Sequence, residues 1–339
     1  MRLKSCIGSL LLTLMLCSCN SWLDIDLINQ SEESDLFSTE RGFSEALAGV
    51  YCDIAASNMY GQTLSFGMLD IMSRIYDYSQ IPNKMKIFRD YNYQDKDMKA
   101  YIYALWCSFY ANIASLNNIL EWSERNASVL SDERRDQVRG EALALRGMLH
   151  FDIYRLFTAD IKLDKTSRIL PYQTDFGVKT PPVYATGDYL DLVVRDLEDA
   201  IKYLENDPIM KITPYELGNG DGENKDQADL YVARMNYYAA KALLARVYLN
   251  MGGEKVKEAR RLAEEVIDCG KFALVDYEKS LNTEEANKDL LFSDEHIFSL
   301  RGQNVKTDAE GVHKQITGSD GNLQMASGYQ ASLYAGDLE

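Results

Sequence analysis

The chain has 339 residues, 46% hydrophobic and 26% charged, with a net charge of −16, long enough for one large domain or two ordinary ones with a sizeable core. No charge run supplies the basic face that phosphate binding needs, which argues against duplex nucleic acid as a partner. Tyrosine is prominent, at 22 residues against 3 Trp and 6 Pro.

Arg2 and Lys4 precede an uncharged run from Ile7 to Leu16. A helix of that length rises only about 15 Å, roughly half a bilayer's hydrocarbon core. A positive start, a short apolar middle and small residues after it predict a secretory signal peptide over residues 1–18. Leu16-Cys17-Ser18-Cys19 resembles the lipobox of bacterial lipoproteins, with Ser18 before the cut and Cys19 as the lipidated new N-terminus. Cys17 fits badly, because bulky Leu16 would then precede the cut. Acyl chains on Cys19 anchor firmly, each buried methylene contributing about 0.8 kcal/mol. Loss of Arg2 and Lys4 leaves 34 basic against 52 acidic residues, a net charge of −18.

Helical periodicity begins near Phe43, where Phe43, Leu47, Val50, Tyr51 and Ile54 share a face and Ser38 or Thr39 offers an N-cap. Ile102, Trp106, Phe109, Ile113, Leu116 and Leu120 form a second stripe. Ser131 offers the next N-cap, with Asp132 and Glu133 at the positive end of the helix dipole, before Val138, Ala142, Leu145, Leu149, Ile153 and Leu156. A fourth stripe, entered after Pro181-Pro182 and Thr186, takes Leu190, Val193, Val194, Leu197, Ala200, Ile201 and Leu204. The fifth is Met235, Tyr238, Ala239, Ala242, Leu243 and Val247; the sixth is Ala259, Leu262, Ala263, Val266 and Ile267. The last two, joined by Gly252-Gly253, look like a tetratricopeptide-type helix pair that must stack on the earlier helices to bury its open face.

Two stretches interrupt the pattern. Residues 76–93 are aromatic and aperiodic, and residues 216–229 are glycine-rich, acidic and expected to be exposed. Gly218, Gly220 and Gly222 follow no strand, so they make no dinucleotide fingerprint. Leu217 and Ala228 stand where an EF-hand needs carboxylates. Beyond Asp276 the period fades; residues 295–305 suggest one short strand, and the final residues read as loop.

Cys19-Asn20-Ser21-Trp22-Leu23-Asp24, then Trp106, Tyr110, Ile113 and Asn117, then Glu141, Ala142, Leu145, Arg146, Phe151 and Phe157, occur in an order that resembles the SusD/RagB family of nutrient-uptake lipoproteins. The resemblance runs from Cys19 to about Leu300. Gly147 and His150 depart from the family's helix pattern, and Thr158-Ala159-Asp160 replaces its usual Gly-Asp. The resemblance implies a mainly α fold, a tetratricopeptide-like helical-repeat scaffold with irregular loops and little β. It implies one such domain over residues 19–339, with its C-terminal part incomplete or shortened, since family members are usually considerably longer. It further implies an outer-membrane lipoprotein facing the exterior, seated as a lid on a TonB-dependent SusC-like barrel. Such a protein captures oligosaccharides, or sometimes peptides, and needs no cofactor. The alternative is a helical-repeat scaffold that binds only a protein partner, without glycan affinity.

Little in the sequence points to catalysis or metal binding. The carboxylate pairs Asp196/Asp199 and Glu264/Glu265 raise glycoside hydrolysis, which needs two carboxylates across one bond; beside Arg and Lys they read instead as solvated helix faces. His150, His296 and His313 lack metal spacing, and His150 reads as a packed helix residue. Cys52, Cys107 and Cys269 show no disulfide or zinc pattern and read as buried thiols. A pyranose needs an aromatic platform and a few polar groups. Tyr76, Tyr78, Tyr91 and Tyr93, which helix packing does not claim, are the candidate ligand-binding residues, with Tyr329 and Tyr334 as weaker ones. Trp106 and Trp122 are assigned to packing.

Overall fold

The computed structural model of the chain describes residues 33–77, 79, 81–212, 231–274, 292 and 295–313. Cys19, Tyr78, Tyr329, Tyr334 and the glycine-rich 216–229 stretch lie outside the described residues. The described part is mostly helical, with one two-stranded antiparallel sheet.

Helix α1, Glu40–Ile54, starts where the Thr39 hydroxyl accepts from Gly42 N at 3.1 Å. Only glycine fits at 42, since a Cβ there would stand 1.6 Å from the Leu36 carbonyl oxygen. Short helices α2, Met68–Met72, and α3, Lys86–Arg89, break up the next stretch. Helix α4, Lys96–Arg125, is capped by Asp95, whose carboxylate accepts from the Asp97 and Met98 amides. Helix α5, Asp132–Phe157, starts at Ser131 as the sequence predicts. Strands β1, Arg168–Pro171, and β2, Val183–Ala185, pair with Leu170 opposite Tyr184. Helix α6, Thr186–Tyr203, begins at Thr186, so that residue lies inside the helix. Helices α7, Tyr237–Met251, and α8, Lys255–Asp268, follow; Asn236 caps α7, leaving Met235 outside it.

Helix α5 is the axis of the fold. It packs on α4 and α6, and α7 packs in turn on α6 and α8. Its sequence suggests a one-sided stripe, yet Glu141 through Gly147 are all buried, together with Leu149, His150 and Phe151. A helix enclosed on every side belongs to the core. Close approach to α6 depends on Gly140, where a Cβ would lie 2.5 Å from Leu204 Cγ. The α7–α8 hairpin turns at Gly252 and Gly253, with φ of 73° and 59°. These left-handed conformations favour glycine, and the tetratricopeptide-like pair is present as expected. Its second stripe is narrower than the sequence suggests: Ala259, Leu262 and Val266 are buried, whereas Ala263 is exposed and Ile267 is 71% exposed.

A buried polar cluster ties the hairpin to the rest. The Tyr51 hydroxyl donates to Glu141 Oε2 at 3.0 Å and accepts from Met235 N at 2.7 Å. Arg234 bridges Asp207, at 2.6 Å, and Glu141, at 3.3 Å. Residues 295–305 form no strand; the chain runs irregularly to helix α9, Val305–His313. There Asn236 Nδ2 donates to the Ile297 carbonyl at 2.8 Å and Ser57 bonds Asp308, which docks this segment by side chains rather than by a ladder.

Candidate functional site

Three of the four tyrosines singled out in the sequence lie in the described residues. They cluster around α2, but only one faces outward with its ring available. Tyr76 is half-buried; its hydroxyl lies 3.4 Å from both the Phe66 carbonyl and Asp70, and its ring 5.9 Å from that of His313. Burial, together with the Asp70 charge, pushes its phenol pKa up and keeps it protonated. Tyr91, in the left-handed region at φ 49°, donates to the Met72 carbonyl, with the Arg74 guanidinium 5.4 Å from its ring centre. Tyr93 is 49% exposed. It lines a cavity of about 460 Å³ whose wall is mainly apolar, formed by Met68, Met72, Met98, Leu105 and Phe157, with Tyr93 and Thr158 as its polar side chains.

Sequence reasoning passed over two further rings. Tyr101 and Tyr103, on the first turns of α4, are 47% and 70% exposed. The signal was present: both fall beside Ile102 and off the stripe that continues through Trp106 and Phe109. Trp106 and Trp122 are packed, as assigned. Trp106 lies edge-on to Phe157 at 5.0 Å, and Trp122 stacks on Phe37 at 5.6 Å.

The residues that carried the family resemblance fasten a strap of chain, residues 169–176, along α4. Tyr110 donates to the Pro171 carbonyl at 2.8 Å, and Asn117 Nδ2 donates to the carbonyls of Gln173 and Asp175 at 3.1 and 3.3 Å. Arg146 holds Asn117 Oδ1 at 2.8 Å and forms a bidentate pair with Asp196, both bonds 2.7 Å. Tyr172 donates to the same carboxylate at 2.7 Å. His150 stacks on Tyr172 at 3.8 Å, with Nδ1 2.7 Å from the Tyr189 hydroxyl. Burial, then the Arg146 charge, lower its pKa to about 3, so it is neutral at physiological pH.

Ile169, at one end of the strap, borders the apolar cavity. Thr174, Asp175 and Phe176, at the other end, border a second and more polar cavity of about 580 Å³.

Asp196 therefore does not sit on a solvated face. It is 3% exposed and engaged on both oxygens, whereas Asp199 is paired at the surface with Lys202. Sequence periodicity shows a polar position without showing whether a neighbouring helix supplies its partner. Glu264 and Glu265 face outward as read, paired with Arg260 and with Lys241 and Arg261. The cysteines correct another expectation. Cys52 and Cys107 are exposed and Cys269 is half-buried, because the first two lie off the apolar stripes of their helices. Among the described residues no group of three or more His, Cys, Asp or Glu is placed to hold a metal ion. No helix among them is long and apolar enough to cross a membrane.

The described residues thus form a helical scaffold that carries a tetratricopeptide-like pair, with a strap pinned along its central helices. Residues 21–215 match the SusD-like family described as "Starch-binding associating with outer membrane", and the chain belongs to that family.

Solved structures agree on the fold. A SusD superfamily protein from Bacteroides thetaiotaomicron is 20% identical with a TM-score of 0.62, over 88% of this chain and 62% of that one. A SusD superfamily protein from Bacteroides fragilis is also 20% identical, with a TM-score of 0.57, over 78% of this chain and 56% of its own. A SusD-like carbohydrate binding protein from Bacteroides vulgatus is 16% identical with a TM-score of 0.54, over 77% and 50%. The chain thus spans 62%, 56% and 50% of the lengths of these three. No curated protein matches it.

Proposed function

We propose that the protein captures oligosaccharides at the cell exterior, tethered by acyl chains on Cys19, and delivers them to a TonB-dependent SusC-like barrel without cleaving them. The observation that carries this reading is membership in a family described as starch-binding and associating with the outer membrane. The tyrosine face supports it: Tyr93 offers a ring in the wall of a cavity, and Tyr76 and Tyr91 brace the backbone beneath it. An aromatic face stacks on the apolar face of a pyranose. The test is titration of the mature, folded protein with an oligosaccharide panel, alongside membrane fractionation of Cys19→Ala. Saturable binding with unchanged sugar, and release of the variant from the membrane, are expected; silence across the panel would overturn glycan capture. The second reading, a scaffold for a protein partner alone, draws on the internal commitment of the Tyr76 and Tyr91 hydroxyls. Co-purification of a barrel by a protein with no sugar affinity would establish it.

A further inference from the structure

We infer that the polar cavity at the end of the strap is itself a carbohydrate site, suited to an uncharged segment with vicinal hydroxyls. This rests on the glycan-capture reading and moves its centre away from the tyrosine face. The cavity, about 580 Å³, falls within the roughly 300–1,000 Å³ usual for small-molecule sites. Its floor is rigid: Arg146 and Asp196 hold each other by two bonds of 2.7 Å, and Asn117 pins the strap above them. Its walls carry two rings. Phe176 is 41% exposed, and Tyr203 has the Arg139 guanidinium 4.9 Å from its ring centre. An apolar side chain left half in water on a pinned loop is a ready platform for the face of a sugar ring.

The polar groups complement hydroxyls in both senses. Arg195 and the Asp175 carboxylate border the cavity and make no ion pair among the described residues, so one offers donors and the other acceptors. Arg139 Nη1 bonds Glu124 at 2.9 Å, while its buried Nε has no acceptor among the described residues. A hydroxyl both donates and accepts, so adjacent hydroxyls satisfy such a set without adding charge. Of the charged groups around the cavity, Glu121, Glu124, Asp196 and Asp199 are paired with Arg125, Arg139, Arg146 and Lys202. That leaves Asp175 and Arg195, one of each sign, so a ligand of either charge would face one opposing group for each attracting one. The mainly apolar cavity lined by Tyr93 offers only the Tyr93 and Thr158 hydroxyls as polar side-chain groups, the latter already bonded to the Tyr154 carbonyl. Most hydroxyls buried there would therefore lose their hydrogen bonds to water uncompensated.

The experiment uses the mature full-length protein in native affinity gels and in titrations. The polymers are amylopectin, xylan, mannan and mixed-linkage β-glucan as neutral probes, polygalacturonate as anionic and glycol chitosan as cationic. A neutral polymer is expected to bind. Arg195→Ala and Phe176→Ala, both surface changes that leave the circular dichroism intact, should each weaken binding about tenfold, as loss of a stacked ring or a charged donor implies. Tyr93→Ala should weaken it less than threefold. Wild-type affinity in the Arg195 and Phe176 variants, with binding lost in Tyr93→Ala, would overturn this site and leave glycan capture standing. Preference for a charged polymer would overturn the uncharged class. Binding to no polymer at all would overturn both readings together.

Discussion

Replacing Asp196 by Asn tests the buried polar bridge most sharply. The carboxylate accepts two bonds from Arg146 and one from Tyr172, each 2.7 Å, and the side chains of the ion pair are 8% and 4% exposed. Asn keeps the shape but leaves the guanidinium uncompensated, and breaking a buried pair by removing one partner costs about 3–5 kcal/mol. The control is Asp199→Asn, three residues along the same helix, where the exposed pair with Lys202 is screened by water. Urea unfolding of the mature proteins should show a large drop in midpoint for the first and almost none for the second, with unchanged slope. Hydrogen exchange should rise first in residues 173–176, because Asn117 and Tyr172 lose their brace. Equal midpoints for the two variants would show that Asp196 is solvated, and the assignment of Arg146 and Asp196 as the strap's anchor would be wrong.

Four other outcomes follow from the packing and the buried charges. Gly140→Ala should destabilise, overpacking against Leu204 by about 1–3 kcal/mol and outweighing the roughly 1 kcal/mol gain in helix propensity. Gly147→Ala, whose Cβ would lie 3.0 Å from Leu197 side-chain atoms and 3.7 Å from Asp196 Cβ, a looser fit than at Gly140, should be nearly neutral in thermal melts. His150 falls to about 3 in the fold from its ordinary 6.5, so between those values the unfolded chain binds the extra proton. Stability should therefore decline as pH falls below 6.5, and His150→Gln should flatten that limb in urea titrations at stepped pH. Burial raises the Glu141 pKa above its ordinary 4.5, so ionising it costs the fold more than the unfolded chain. The stability of Glu141→Gln relative to wild type should rise with pH from about 4.5 and level off above the raised value; a pH-independent difference would refute the shift.

Apolar periodicity revealed the helices, because residues such as Phe43, Leu47 and Val50 need only one buried face. It also exposed the α7–α8 turn, since Gly252 and Gly253 adopt backbone conformations other residues avoid. It misled wherever a polar residue found its partner on another helix. Asp196 looks solvated beside Arg195, yet its partner Arg146 lies 50 positions away. The enclosure of α5 was equally hidden, because Glu141, Arg146 and His150 interrupt its apolar pattern and are satisfied by Tyr51, Asp196 and Tyr189. Among the candidate tyrosines, an aperiodic stretch located the cluster, but the bonds that occupy Tyr76 and Tyr91 come from Phe66, Asp70 and Met72 and depend on the fold. Phe176 and Arg195 gave no signal, since only the pinned strap brings them to one cavity.

The most direct test of glycan capture is calorimetric titration of the processed protein with neutral oligosaccharides, with chromatography of the sugar afterwards. The account predicts saturable binding and a sugar recovered intact. A folded protein that binds none of them, or returns shortened products, would contradict it.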